Sequence, residues 1–308
     1  MPSPTSRRRF LTHSILAATS TSWLGLNGMP VQGAAPFQRG LGARMKLSCA
    51  AYSYRKYLQE QKPPTMTIED FLVECAKMGL DAAEPTAYYF PSPLTDEFLR
   101  KFKRKAFLLG LEISGTAIGN TFTYPPGPKR DENLRMVKEW IDRAVIFGAP
   151  CIRVFAGNAS DAGTLEQARR NCIETMETAC AYAAERGVFL ALENHGGIVS
   201  DAEGVLAILK EVKSDWFGVN LDTGNFQTDD PYLDMAKVAP YAVTVQIKID
   251  VQPKGGKAVD ADFERIIGIL GEAGYRGYLA LEYEGREEPK EAIPRVIEKL
   301  QKILKKIF

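Results

Sequence analysis

From Lys46 onward, short runs rich in apolar and β-branched residues alternate with longer stretches whose apolar positions recur at helical spacing. That alternation is the pattern of a parallel sheet wrapped by helices. The short runs are KLSCA from Lys46, LDAAE from Leu80, EISGTAI from Glu112, CIRVFA from Cys151, VFLALE from Val188, FGVNLD from Phe217, VTVQIK from Val243 and YLALE from Tyr278. The spacing predicts helices over 68–78, 95–109, 131–147, 164–186, 201–213, 231–238, 260–273 and 289–307. Gly79, Gly110, Gly148, Gly187 and Gly274 each fall where a helix must stop before the next strand, as a left-handed C-terminal cap requires. Eight such units without a Gly-rich phosphate fingerprint predict a closed (β/α)8 barrel over residues 46–308, not a doubly wound open sheet.

The segment before the barrel has a different pattern. SRRRFL is followed by the short apolar stretch ILAATSTSWLGL and the small-residue run VQGAAP. A charged region, a brief apolar region and small residues make a cleavable export signal, and paired arginines before Phe-Leu resemble the twin-arginine pattern. The apolar stretch falls well short of the roughly 20 residues that span a bilayer. The expectation is therefore a signal over 1–35, a linker over 36–45, a periplasmic mature protein and no stable membrane insertion.

Removing Arg7, Arg8 and Arg9 leaves 39 − 3 = 36 basic residues against 38 acidic ones, a net charge of −2. That balance offers no electrostatic footprint for nucleic acid. The five cysteines, Cys49, Cys75, Cys151, Cys172 and Cys180, form no CxxC pair and read as small buried side chains. Histidine occurs only at His13, inside the signal, and His195, so a His-rich zinc site cannot be built and any metal must be held mainly by oxygen.

In such barrels chemistry sits at the C-terminal ends of the strands. The residues there are largely acidic: Glu84 closes the second strand, Glu193 the fifth, Asp222 the sixth and Glu282 the eighth. Carboxylates converging on one barrel mouth repel one another unless a cation or a partner intervenes. A divalent ion resolves the repulsion; oxygen ligands suit Mg2+ or Mn2+, with Co2+ as a further candidate, and Mn2+ is the ion expected. Each acid could instead cap the helix that follows it or pair with a local arginine, most readily Glu84.

The motifs LALENHGG, GVNLDTGNF, VTVQIK and GYLALEYEG resemble the xylose-isomerase-like barrel superfamily of sugar phosphate isomerases and epimerases, and the similarity spans residues 46–308. The resemblance implies one divalent ion held by Glu, Asp, His and Glu from the ends of strands five to eight. Position by position these are Glu193, Asp222, Gln246 and Glu282, with Gln246 where relatives have histidine. An amide oxygen is a weaker donor to such metals than imidazole. Asn225 is a second departure, standing where many relatives have a histidine near the substrate hydroxyls; it can hydrogen-bond but cannot shuttle a proton.

The function expected is isomerisation or epimerisation of a small sugar or polyol derivative through an ene-diolate stabilised by that ion. The resemblance makes Glu193 and Glu282 the catalytic base and acid on opposite faces of the substrate. His195 in the turn after Glu193, Asn225, and Lys248, which points the same way as Gln246 and could polarise a carbonyl, are expected at the substrate. So are Glu84 and Arg153, the latter also reading as a partner that orients Glu193 or Glu84. Among the loop aromatics, Tyr52 and Phe122 are the expected sugar contacts. The competing expectation is a non-catalytic sugar-binding barrel whose metal site has decayed at Gln246. A DNA-repair endonuclease of the same superfamily is disfavoured by the lone barrel histidine and the slightly negative charge.

Overall fold

The structure is a computed structural model that describes residues 33–40 and 44–307. The expected export signal lies outside the described residues except at its last three positions. Among the described residues no helix is long and apolar enough to cross a membrane.

Parallel strands β1 (Lys46–Ala50), β2 (Ala82–Glu84), β3 (Glu112–Ile113), β4 (Thr116–Ala117), β5 (Cys151–Val154), β6 (Phe189–Glu193), β7 (Phe217–Asp222), β8 (Ala242–Ile247) and β11 (Tyr278–Leu281) form one sheet. Their order is β3-β2-β1-β11-β8-β7-β6-β5-β4. The two end strands, β3 and β4, are halves of one predicted strand broken at Ser114 and Gly115. A bridge between Thr86 and Ala117 helps carry the ring across the break, so the architecture is the expected (β/α)8 barrel. The break has a steric cause: a Cβ on Gly115 would sit 2.8 Å from Cys151 Sγ, so the chain passes the neighbouring strand too closely for a side chain there.

Among the described residues eight α-helices cover the sheet: α1 (Ile68–Lys77), α2 (Asp96–Leu108), α3 (Pro128–Phe147), α4 (Leu165–Ala184), α5 (Ala202–Glu211), α6 (Pro231–Val238), α7 (Phe263–Glu272) and α8 (Pro289–Ile307). Their starts are set chemically. Thr67 and Asp70 form a reciprocal capping box on α1, and Thr95, Thr164, Asp201, Asp230 and Asp262 each accept an amide N–H at the start of α2, α4, α5, α6 and α7. The last of these explains why α7 begins at Phe263 rather than near residue 260. In its place is an unanticipated antiparallel hairpin of β9 (Asp250–Val251) and β10 (Val259–Asp260).

Part of the segment expected as a linker, residues 36–45, is packed on the barrel. Ala34 N–H donates to Leu209 O at 2.8 Å and Phe37 N–H to Pro240 O at 3.0 Å. The Phe37 ring meets Phe189 edge-on at 5.8 Å, and Arg39 bonds the carbonyls of Ala242 and Val243. Residues 34–39 are thus packed against the N-terminal ends of β6, β7 and β8, because Phe37 removes apolar surface from water there.

Candidate active site

Parallel strands bring their C-terminal residues to one rim. At that rim Tyr52, Tyr88, Arg153, Phe155, Glu193, His195, Asn225, Lys248, Glu282 and Glu284 line a cavity of about 200 Å3. Of the residues singled out in the sequence, Glu193, Glu282, His195, Asn225, Lys248, Arg153 and Tyr52 meet here. Asp222, Glu84 and Gln246 are buried without lining it. A larger hollow of about 480 Å3 lies at the other end of the barrel against Met45, Leu47 and α8, but no acidic cluster faces it.

Glu193 ends β6 and is 3% exposed. Arg153, two residues into β5, lies 2.9 Å from Glu193 Oε2 through Nε, a close ion pair whose angle falls short of a hydrogen bond. Asn225 Nδ2 donates to the other carboxylate oxygen at 3.0 Å. Burial pushes the Glu193 carboxyl up to about 7, against the pull of Arg153 and with the push of Glu282. A carboxyl at that value can both take and return a proton near neutral pH.

Lys248 follows β8, and its ammonium is surrounded by acids: 2.8 Å to Glu282 Oε1, a short contact to Glu284, and 3.5 Å to Asp222 Oδ2. Burial works against its charge, but Asp222, Glu282 and Glu284 together outweigh that and hold it protonated. Its stem lies on Gly224, where a Cβ would come within 2.7 Å of Lys248 Cγ. That close approach gives the glycine of DTGN its use. His195 sits in a turn that needs Gly196 and Gly197 at positive φ, and its ring is 4.5 Å from Phe155. Burial, then the nearby Arg153 charge, lowers its pKa, so it acts as a neutral hydrogen-bonding group.

Beneath the cavity floor the polar groups satisfy one another. Asn220 Nδ2 donates to Gln246 Oε1 at 2.7 Å, and Gln246 Nε2 donates to Glu84 Oε1 at 2.8 Å. Glu84 is therefore not a substrate contact but the acceptor that orients Gln246; burial pushes its carboxyl up to about 7. Burial likewise pushes Asp222 up to about 8, with Lys248 opposing. Asn194 ties the rim together, donating to Asp222 O at 2.9 Å and accepting from Asp222 N at 2.8 Å.

Two further expectations need correction. Phe122 is 0% exposed with its N–H on Ala156 O, so it belongs to the core beside the barrel; Tyr88 and Phe155 are the aromatic walls instead. The four-ligand metal set is not what the structure shows: the Gln246 oxygen accepts from Asn220, its amide nitrogen donates to Glu84, and the Lys248 ammonium lies between Glu282 and Asp222, two of the other ligands. Among the described residues no three His, Cys, Asp or Glu side chains come together to hold an ion. The donor set does not fit the divalent metal that the sequence resemblance implies.

Phe155 and Glu284 were not anticipated. Phe155 is the residue just beyond β5, and Glu284 lies two positions past Glu282, on the same side by strand alternation; that spacing was the available signal.

The family profile described as "Xylose isomerase-like TIM barrel" matches residues 72–304. No curated protein among those compared matches the chain. Solved structures do. A xylose isomerase domain protein from Planctomyces limnophilus is 19% identical with a TM-score of 0.67, covering 86% of this chain and 99% of its own. D-psicose 3-epimerase from Clostridium cellulolyticum H10, solved with D-tagatose, is 16% identical with a TM-score of 0.69, covering 84% and 99%. A 3-keto-D-glucoside 4-epimerase from E. coli is 17% identical with a TM-score of 0.62, covering 84% and 100%. At these identities the likeness establishes the fold.

Proposed function

We propose that this chain, which belongs to the xylose isomerase-like TIM barrel family, is a sugar isomerase or epimerase that moves a proton at a carbon next to a carbonyl. The observation carrying this reading is the placement of Glu193 and Glu282 on one small cavity, from strands separated in the ring by β7 and β8. Carboxylates on separate walls can serve separate faces of one substrate carbon. The named epimerases among the similar structures support the same kind of chemistry. A volume of about 200 Å3 lies below the roughly 300–1,000 Å3 usual for drug-sized ligands, which suits a monosaccharide-sized unit.

In the proposed reaction, Glu193 as carboxylate removes the proton beside the carbonyl. The electron pair moves into a carbon–carbon double bond, and the carbonyl oxygen becomes an enediol oxygen facing Lys248. Return of a proton to the opposite face from Glu282, which must enter the cycle protonated, inverts the carbon and leaves Glu193 protonated and Glu282 ionised. Return to the former carbonyl carbon, with the neighbouring hydroxyl's proton passing to the former carbonyl oxygen, isomerises the sugar. Arg153 and Asn225 hold the Glu193 carboxylate, while His195, Tyr52, Tyr88 and Phe155 offer hydrogen bonds and ring faces to the hydroxyls and C–H faces.

The test is a screen of keto and aldo sugars in deuterated water with the mature protein. Deuterium appearing at carbon in recovered sugar, with a new isomer or epimer, is expected. Sugar binding with no exchange would instead favour the non-catalytic sugar-binding barrel, the reading to which the engaged amide of Gln246 lends weight.

The proposal also places the enzyme outside the cytoplasm, on the strength of SRRRFL and the short apolar run behind it. Replacing Arg7 and Arg8 by lysine is expected to leave precursor in the cytoplasm. Unchanged export would point to another route.

A further inference from the structure

We infer that the Lys248 ammonium is the resident cation of this site, occupying the seat among the strand-end carboxylates that a divalent ion would otherwise hold, so that the substrate oxygen is received by an N–H donor. The inference rests on the isomerase reading for its chemistry, but its test reads cation binding and not turnover.

Three acids from the two strands that flank β8 meet Lys248 Nζ: Asp222 from β7, and Glu282 with Glu284 at the end of β11. Two of them, Asp222 and Glu282, are members of the ligand set that the sequence resemblance implies. The two buried carboxylates, Asp222 and Glu282, need a cation where they converge, and here a side chain of the protein supplies it.

The position is built into the fold. Lys248 N–H donates to Thr223 Oγ1 at 2.9 Å, and Gly224 leaves space for the lysine stem that any Cβ would fill. Neighbouring Gln246 is held between Asn220 and Glu84, turned away from the role of ligand.

An ammonium has three N–H donors. Glu282 and Glu284 take two, whereas Asp222 Oδ2, at 3.5 Å, has no hydrogen-bond partner among the described residues. The third donor is therefore weakly used and is the one available to a substrate carbonyl or enediol oxygen. It would stabilise developing negative charge there as a fixed positive charge with an N–H donor, at hydrogen-bond distance.

The experiment compares the mature wild type with Lys248→Met and Lys248→Arg. Each is stripped with chelator and titrated with Mn2+ by calorimetry, and thermal melts are recorded with and without Mn2+. The wild type is expected to purify with far less than an equivalent of divalent metal and to show no melting shift with Mn2+. Lys248→Met, which keeps most of the stem volume and removes the charge, should melt lower without metal and recover with Mn2+, binding it about a hundredfold more tightly than the wild type. A hundredfold is a floor for that gain, because the repulsion between a unit positive charge and a divalent ion a few ångströms apart exceeds it at an effective dielectric of about 20. Lys248→Arg, which retains the charge, should not gain Mn2+ binding. A wild type that holds stoichiometric metal, or loses melting temperature on chelation, would overturn the inference. So would a folded Lys248→Met that ignores Mn2+. If Lys248→Met does not fold, the wild-type titration decides. A wild type that is metal-free yet exchanges no deuterium would leave the cation seat standing and count against the isomerase reading alone.

Discussion

The acids at the barrel mouth fall into two groups by depth, and each group is neutralised differently. Those on the cavity own a cation: Arg153 for Glu193, Lys248 for Glu282 and Glu284. Those below it have no cation at hydrogen-bond distance. Glu84 relies on the Gln246 amide, and Asp222 on the Gly224 N–H with Lys248 at a distance. The upper acids are thus held in place yet remain able to exchange a proton with something in the cavity. The lower ones are cut off from it and take their hydrogen bonds from neutral donors, with Lys248 only at a longer distance from Asp222, which makes them supports of the rim. Position at a strand end does not by itself make a residue catalytic; the layer in which its side chain lies decides.

The largest expected effect comes from neutralising one member of each group. Glu193→Gln or Glu282→Gln should lower the rate of solvent-proton exchange into substrate by about 10²–10⁴-fold, the usual contribution of a positioned acid or base. Glu84→Gln should lower it by less than about tenfold, because its partner is an amide that can still bond a neutral side chain. Equal losses in all three would erase the distinction between the layers.

A second way to test it is through Arg153. Its buried guanidinium bonds Ile118 O at 2.8 Å and lies 3.9 Å over the Phe155 ring. Removing one partner of a buried ion pair strands the other, at a cost of about 3–5 kcal/mol. Arg153→Met should therefore lower the melting temperature strongly, and the double variant with Glu193→Gln should recover part of the loss. Additive losses would mean that the two side chains are not paired in solution.

The buried acids of both layers also predict how stability depends on pH. Burial raises Glu84 and Glu193 to about 7 and Asp222 to about 8, above the ordinary values they regain on unfolding. The folded state then binds more protons than the unfolded state between about pH 4 and pH 8. Stability is greatest at the acid end of that window and is lost as pH rises through the folded values. The melting temperature is expected to fall between pH 6 and pH 9, by roughly 2–4 °C for each kcal/mol lost at this chain size. Asp222→Asn should flatten the fall. A melting temperature that rises over the same interval would contradict the burial of these groups as acids.

The eight units and the acids at the rim were legible in the sequence because both follow from short-range rules. Strand alternation and helix spacing repeat along the chain, and the last residue of an apolar run is easy to find. Depth was not legible. Gln246 and Glu84 are 162 positions apart, and nothing local to either says that one turns toward the other instead of toward an ion. Asn220 lies inside an apolar strand and gives no hint that it will occupy the Gln246 oxygen. The packed segment around Phe37 was read as a linker because its contacts, with Phe189 and Pro240, are equally distant in sequence.

The smallest effect tests the cavity wall, where loop aromatics of the same composition part company. Tyr88 lines the cavity at 39% exposure, whereas Phe122 is 0% exposed. Tyr88→Leu should remove one ring face from the sugar at a cost of about 1 kcal/mol. That is roughly a fivefold rise in KM, with little change in melting temperature because the ring is not in the core. Phe122→Leu should do the reverse: KM unchanged, and a stability loss of roughly 1–2 kcal/mol from a smaller side chain in a closed core. Binding isotherms and melts on the two variants separate these outcomes. If Phe122→Leu weakened sugar binding more than Tyr88→Leu did, the wall would have to be redrawn through the loop after β4, and the cavity that unites Glu193 with Glu282 would be bounded differently from the one described.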